Sequence, residues 1–214
     1  MTPGPNEILL IPTSGKLVKI STLNSGNTFG AVYWTDGRRE ADMLPDEPWL
    51  RIHPETRELF WTDECKKVAE EEVFEPKPKY SEAPFAESPT LEDYRRALST
   101  LTPLDLKKER YIRMRFWWEA NDPFRRGTVA APAAADYQEN LQRFIGLLDI
   151  KNYGGNRLMA AEVARQMGDF TKAEELLNCE FPAELVSAVE RIRSLASQKD
   201  TLVRCLNPED ENAD

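Results

Sequence analysis

Four prolines stand within the fourteen residues from Pro76 to Pro89, in the stretch "EPKPKYSEAPFAESP". Each proline fixes its own φ and removes a backbone donor, so neither a regular helix nor a central strand can run through it. The stretch therefore divides the chain, and the two sides carry different patterns. Before it, Lys16–Leu23 alternates, "NSGN" turns the chain, and "TFGAVYW" is β-branched and aromatic. Asp36-Gly37 is a two-residue hairpin signal because both positions tolerate positive φ. "RREADML" reads as the returning strand up to Pro45, and Trp49–Ile52 and Glu58–Trp61 flank a proline corner. Thr62 reads as an N-cap, with Cys65, Val68, Ala69 and Val73 spaced along one face of a short helix that closes this segment.

After Pro89 the pattern is helical. Thr90 caps "LEDYRRALST" with Asp93 at the reciprocal position. Thr102 caps a second helix with Pro103 in its first turn. A third helix spans about 133–148, a fourth and fifth lie in "NRLMAAEVARQMGDFTKAEELLN", and Pro182 opens a sixth that runs toward Leu206. The expected fold is α+β. It comprises a small antiparallel β domain over 1–75 with a short terminal helix, a Pro-rich linker or strap over 76–89 pinned by Tyr80 and Phe85, an all-α domain of about six helices over 90–206, and an acidic disordered tail over 207–214.

Two resemblances follow from particular residues. "AAEVARQMGDFTKA" places Ala160, Ala161 and Ala164 on one helix, Gly168 at a turn, and Asp169, Phe170 and Ala173 at the start of the next. Residues 157–178 so resemble one tetratricopeptide-like helical hairpin, with Arg157 where that repeat carries a large aromatic. The resemblance implies binding of a peptide or protein. No second copy follows at the ~34-residue period of an array. The N-terminal part resembles a zinc ribbon in the order of its parts, with "IPTSG" and "HPETR" as the two knuckles. At the four ligand positions stand Ile11, Ser14, His53 and Thr56. His53 alone can ligate, whereas structural zinc takes four N or S donors. A degenerate, metal-free ribbon is the expectation, with apolar packing by Leu9, Ile11, Ile52 and Phe60 in the metal's place.

The formal net charge of −9 opposes general nucleic-acid binding, which depends on Lys and Arg neutralising phosphates. No window approaches the roughly 20 apolar residues of a membrane span. "MTPGPNEILLIP" lacks a basic start, so a cytoplasmic protein is expected. Cys65, Cys179 and Cys205 are odd in number and widely spaced, which is no disulfide framework. His53 and Cys65 are the one obvious base and nucleophile, but no glycine motif of the oxyanion type accompanies them. No catalytic residue, cofactor or metal is therefore assigned.

Interaction features remain. Within Asn24–Gly30, Asn24 and Gly26 supply the turn and Phe29 is expected in the small core. Asn27 and Thr28, beside Tyr33 and Trp34, would suit a protein contact. Lys107–Arg115 holds five basic residues against Glu109, and the aromatic residues Phe116, Trp117 and Trp118 follow. Arg110, Arg113, Trp117 and Trp118 are thus further candidates. The acidic residues between Asp63 and Glu75 are the expected intramolecular partners of those arginines. The reading is a non-enzymatic cytoplasmic interaction module or adaptor for another protein, one with a basic surface. An acidic inhibitor or immunity-type protein that blocks a basic enzyme is the alternative, and an enzyme with an unrecognised site is the second.

Overall fold

The computed structural model describes residues 1–73, 77–101, 104–128 and 135–207. The chain is α+β and divides into two compact units. Unit 1 comprises residues 1–31 and 40–93, and unit 2 comprises residues 32–39 and 94–214. The division thus differs from a cut at the proline-rich stretch: a short hairpin from the strand-rich half belongs with the helices. The acidic tail expected at the C-terminus lies, from residue 208 onward, outside the described residues.

Unit 1 is built from short strands. Strand β1 (Thr2–Pro3) pairs antiparallel with β4 (Leu23–Ser25), while β2 (Asn6–Leu10) lies between β3 (Leu17–Ile20) and β9 (Lys66–Glu71). A hairpin joins β7 (Leu50–Ile52) to β8 (Leu59–Trp61). Leu9, Ile11, Val18 and Phe60 form its apolar core, with Ile20, Cys65 and Ala86 packed on them. The later part of the proline-rich stretch is a strap. Lys19 N donates to Pro84 O at 2.8 Å, and Ala86 N donates to Lys19 O at 2.9 Å. Glu87 exchanges two hydrogen bonds with Ile52. Backbone pairing pins the strap, while Phe85 stays half exposed beneath the Lys19 ammonium.

One expected element is corrected. Residues 62–71 form a 3-10 turn (Thr62–Glu64) and strand β9 instead of a helix. Strand β2 has a free edge that β9 satisfies, and tertiary pairing outweighs the local helical spacing. The charges of β9 are absorbed in the sheet. Lys67 Nζ donates to Glu7 at 2.8 Å, and Glu71, which is buried, accepts from Lys19 Nζ at 2.8 Å and from Lys77 N at 2.8 Å. The acidic residues Glu70 and Glu71 thus have lysine partners within unit 1.

The unit boundary falls inside helix α1 (Leu91–Thr100). Its first turn is closed by the expected box: Asp93 N donates to Thr90 Oγ1 at 3.3 Å, and Thr90 N donates to Asp93 Oδ2 at 3.1 Å. Unit 2 continues with α2 (Leu106–Arg125), α3 (Ala135–Ile145), α4 (Gly154–Gln166), α5 (Phe170–Leu177) and α6 (Val186–Ser197). Asp105 caps α2 by accepting from Lys108 N at 2.8 Å; Thr102 and Pro103 lie outside the described residues. Helix α4 turns into α5 through Gly168 at φ 81°, and Asp169 caps α5 by accepting from Lys172 N. Buried Ala160, Ala161, Ala164 and Ala173 let these two helices approach closely.

Helix α6 ends well before Leu206. Lys199 adopts a left-handed φ of 57°, Asp200 N reaches back to Leu195 O at 3.0 Å, and the chain beyond runs extended. That extended segment pairs with β5 (Val32–Tyr33), whose hairpin partner is β6 (Arg39–Glu40). Leu206 N donates to Tyr33 O at 2.8 Å, and Thr35 N donates to Arg204 O at 2.8 Å.

Candidate interaction site

The hairpin turn predicted at Asp36-Gly37 is present, closed by Trp34 N to Arg38 O and Gly37 N to Trp34 O, both at 2.9 Å, with Gly37 at φ 81°. Its tip is the centre of a buried polar network within unit 2. The Asp36 carboxylate has no exposed surface and accepts from Arg125 Nη2, from Asn121 Nδ2 at 2.8 Å and from Arg38 N at 3.2 Å. Its carbonyl accepts from Trp118 Nε1 at 2.9 Å. Arg125, also buried, donates to Asp122 Oδ1 and to Trp118 O at 2.9 Å, and its guanidinium lies 5.4 Å from the Trp34 ring centre. Burial pushes the Asp36 carboxyl above its ordinary value, and the Arg125 charge opposes that shift.

The network continues inward. Trp117 Nε1 donates to Gln166 Oε1 at 2.9 Å, Tyr137 Oη bridges Gln166 and Asn121, and Gln166 Nε2 donates to Glu162 at 2.6 Å. Arg165 forks onto Glu162 at 2.6 and 2.7 Å and donates to Leu202 O at 2.7 Å. The arrangement ties the 32–39 hairpin, three helices and the C-terminal segment together through groups whose donors and acceptors face each other.

These contacts decide several of the candidate residues on physical grounds. Trp117 is fully buried, with its ring 5.8 Å from Phe144, so no partner can reach it. Trp118 and Trp34 are half-buried and converge on Arg125 and the Asp36 turn. Tyr33 is partly exposed, but its carbonyl is held by Leu206 N. Arg113 pairs with Glu109 at 2.7 Å and reaches Asn140. Arg110 is exposed beside the concave start of α4, formed by Asn152–Asn156. The helix arginines Arg113 and Arg125 thus find acidic partners inside unit 2, where the expectation looked to residues 63–75. His53 and Cys65 sit in separate local settings. His53 Nδ1 accepts from Glu55 N and Thr56 N at 3.3 and 3.4 Å, while Cys65 Sγ donates to Trp61 O at 3.3 Å. Burial and the neighbouring acids push the Cys65 thiol up to about 11.

Asn27 and Thr28 lie in unit 1 on a different kind of surface. Asn27 Oδ1 accepts from Phe29 N at 2.9 Å, an Asx turn, and Thr28 O accepts from Ala31 N at 3.0 Å. Gly30 closes the turn at φ 72°. The side chain carried between these bonds is Phe29, which is 91% exposed and not in the small core where the sequence reading placed it. The loop rests on the 43–44 segment: a Cβ on Gly26 would lie 2.2 Å from Met43 O. Met1 and Met43, both exposed, approach each other there, the amine lying 3.9 Å from the thioether sulfur. The segment 40–47 that supports the loop carries Glu40, Asp42, Asp46 and Glu47 and no basic residue. The signal for this surface in the sequence is a set of turn-forming residues around an aromatic one, but the pattern alone assigns the aromatic inward.

No protein-family model matches this chain, and neither a curated protein nor a solved structure is detectably similar to it. Among the described residues, no helix is long and apolar enough to cross a membrane, and no group of His, Cys, Asp and Glu is placed to hold a metal ion.

Proposed function

We propose that this chain is a non-enzymatic, cytoplasmic protein-interaction module, and that unit 1 makes the contact through the Ser25–Gly30 loop. The observation that carries this reading is Phe29: an aromatic ring 91% exposed on a turn fixed at both ends by hydrogen bonds. A rigid aromatic side chain binds with little loss of conformational freedom and contributes disproportionately when buried in a partner's pocket. Asn27 and Thr28 offer polar groups at the rim, and the formal net charge of −9 favours a partner with a basic surface. A photo-crosslinking residue at position 29, introduced in the native host, should give one dominant covalent adduct that mass spectrometry identifies. Binding of that partner to the purified chain should weaken at least ~100-fold in Phe29→Ala, as for a central aromatic anchor. It should be unchanged in Phe85→Ala, which removes another exposed phenylalanine. Equal binding by both variants would refute the assignment.

A further inference from the structure

The extended segment after α6 is held by groups remote from it in sequence. Thr35 N donates to Arg204 O and Leu206 N donates to Tyr33 O, both at 2.8 Å, so Cys205 faces Trp34 across an antiparallel pair. Arg165 Nη2 donates to Leu202 O at 2.7 Å, Arg191 Nε donates to Cys205 O at 3.1 Å, and Val203 and Cys205 are buried. The turn at 198–200 that delivers the segment places a lysine in the left-handed region, Lys199 at φ 57°. We propose that this segment exchanges between two copies of the chain, each seating its residues 201–206 on β5 of the other, with 198–200 as the hinge.

The hinge has two backbone states open to it. Val189, Ile192, Leu195 and Ala196 form the buried face of α6, and Lys199, Leu202, Val203 and Leu206 continue the same three- and four-residue spacing. Local spacing therefore favours a helix through 198–200, and it is the docked segment that imposes the turn. A left-handed backbone is costly for a residue with a Cβ, and rewinding the hinge as helix removes that cost. Exchange sacrifices none of the contacts of residues 202–206, because the second copy presents the same Tyr33, Thr35, Arg165 and Arg191 to the incoming segment. Relief at two hinges then works against the entropy of association. The seat also defines what it accepts: an extended strand that buries Val203 and Cys205 on either side of Arg204. The Arg204 guanidinium lies 5.6 Å from the Phe124 ring centre and donates to Asp200 Oδ2 at 2.7 Å. A second copy of the chain carries that strand on the same hinge.

The test uses the full chain, equilibrated over a concentration series in urea near its unfolding midpoint, returned to native buffer and separated by size-exclusion chromatography. Wild type should give a dimer whose share rises with concentration. Lys199→Gly removes the left-handed cost at both hinges and weakens a helix through them, so the dissociation constant should rise about tenfold or more. Lys199→Val puts a β-branched residue at positive φ and should lower it. Lys199 is exposed, and circular dichroism checks that each variant is folded. A benzoylphenylalanine in place of Tyr33 then reports whose segment is seated on β5. Irradiating the isolated dimer should join position 33 of one chain to residues 205–207 of the other, whereas the isolated monomer should form the same adduct within one chain. A wild type monomeric throughout, a Lys199→Gly dimer as stable as wild type, or adducts confined to single chains in the isolated dimer would each overturn the proposal.

Discussion

Replacing Asp36 by alanine removes the centre of the unit 2 network and leaves the Arg125 guanidinium buried with half its compensation. Asp36 and Arg125 are 0% and 1% exposed, so water cannot take the place of the lost carboxylate. Arg125 keeps Asp122 and Trp118 O as partners, so the cost is below that of a fully orphaned buried charge and nearer the about 1–3 kcal/mol of a buried group left one partner short. At about 2–4 °C per kcal/mol for a chain of this length, the melting temperature should fall by about 2–12 °C. Trp34, Trp117 and Trp118 lie in this unit and Trp49 and Trp61 in unit 1, so tryptophan fluorescence in urea reports the unfolding of both. Hydrogen exchange localises the effect: the amides of Trp34, Thr35 and Arg38, now bonded to Arg38 O, Arg204 O and Asp36 Oδ1, should lose protection first. Arg125→Met should also destabilise, but the double variant should cost at least ~1 kcal/mol less than the two single losses combined. A single-variant cost below about 1 kcal/mol, or strict additivity in the cycle, would refute the view that this pair anchors the hairpin.

Three further outcomes are expected. Thiol titration at neutral pH should modify Cys179 quickly, Cys65 slowly because its thiol is pushed up to about 11, and buried Cys205 only on unfolding; fast modification of all three would contradict the structure. Glu71 is held below its ordinary 4.5 by hydrogen bonds from Lys19 and Lys77, so its contribution to stability is present above that value and is lost as pH falls through the folded-state value. Glu71→Gln should therefore be less stable than wild type at neutral pH, and the gap in urea midpoints should close in acid; a gap independent of pH would argue against this linkage. Gly26→Ala forces a Cβ to within 2.2 Å of Met43 O and should displace the Ser25–Gly30 loop, whereas Phe29→Ala should change stability by no more than about 0.5 kcal/mol; thermal melts and amide chemical shifts of residues 25–31 separate the two effects.

What could be read in advance was what local chemistry determines. The change from strand to helix across the prolines, the Thr90–Asp93 box, the Asp36-Gly37 turn and the small-residue packing of α4 on α5 all follow from side chains a few positions apart. What could not be read depends on distant partners. "KKVAEEEV" has helical spacing, and only the vacant edge of β2 and the charges of Glu7 and Lys19 make it a strand. The hairpin's place in unit 2 rests on Asp36 and Arg125, which are 89 positions apart. The early end of α6 depends on the extended segment after it finding β5. Phe29 misled for a related reason: an aromatic residue in a β-like run reads as core, and its exposure is set by the Asx turn that carries it.

The two proline corners show how one backbone shape can be held by different means. In the first, Ile11 N donates to Lys16 O and Gly15 N donates to Ile11 O, both at 2.9 Å; in the second, His53 N donates to Glu58 O and Arg57 N donates to His53 O, again at 2.9 Å. The residue four positions after each start takes the left-handed conformation, with φ 69° at Gly15 and 58° at Arg57. The backbone pattern is the same, but the side chains that stabilise it differ. Ile11 is fully buried among Leu9, Val18 and Phe60, so hydrophobic packing holds the first corner. His53, 1% exposed, turns its Nδ1 onto two amides of its own turn, so the imidazole serves the corner that carries it. A left-handed arginine costs about 1–2 kcal/mol relative to glycine. At Arg57 the guanidinium offsets part of that by bonding Glu87 on the strap and Asp93 at 3.2 Å. The second corner is therefore coupled to the strap and to the capping residue of α1, which a metal-centred knuckle would not require. At both corners the residues in the ligand positions are engaged in packing or in their own turn, and that makes the corners part of the architecture of unit 1.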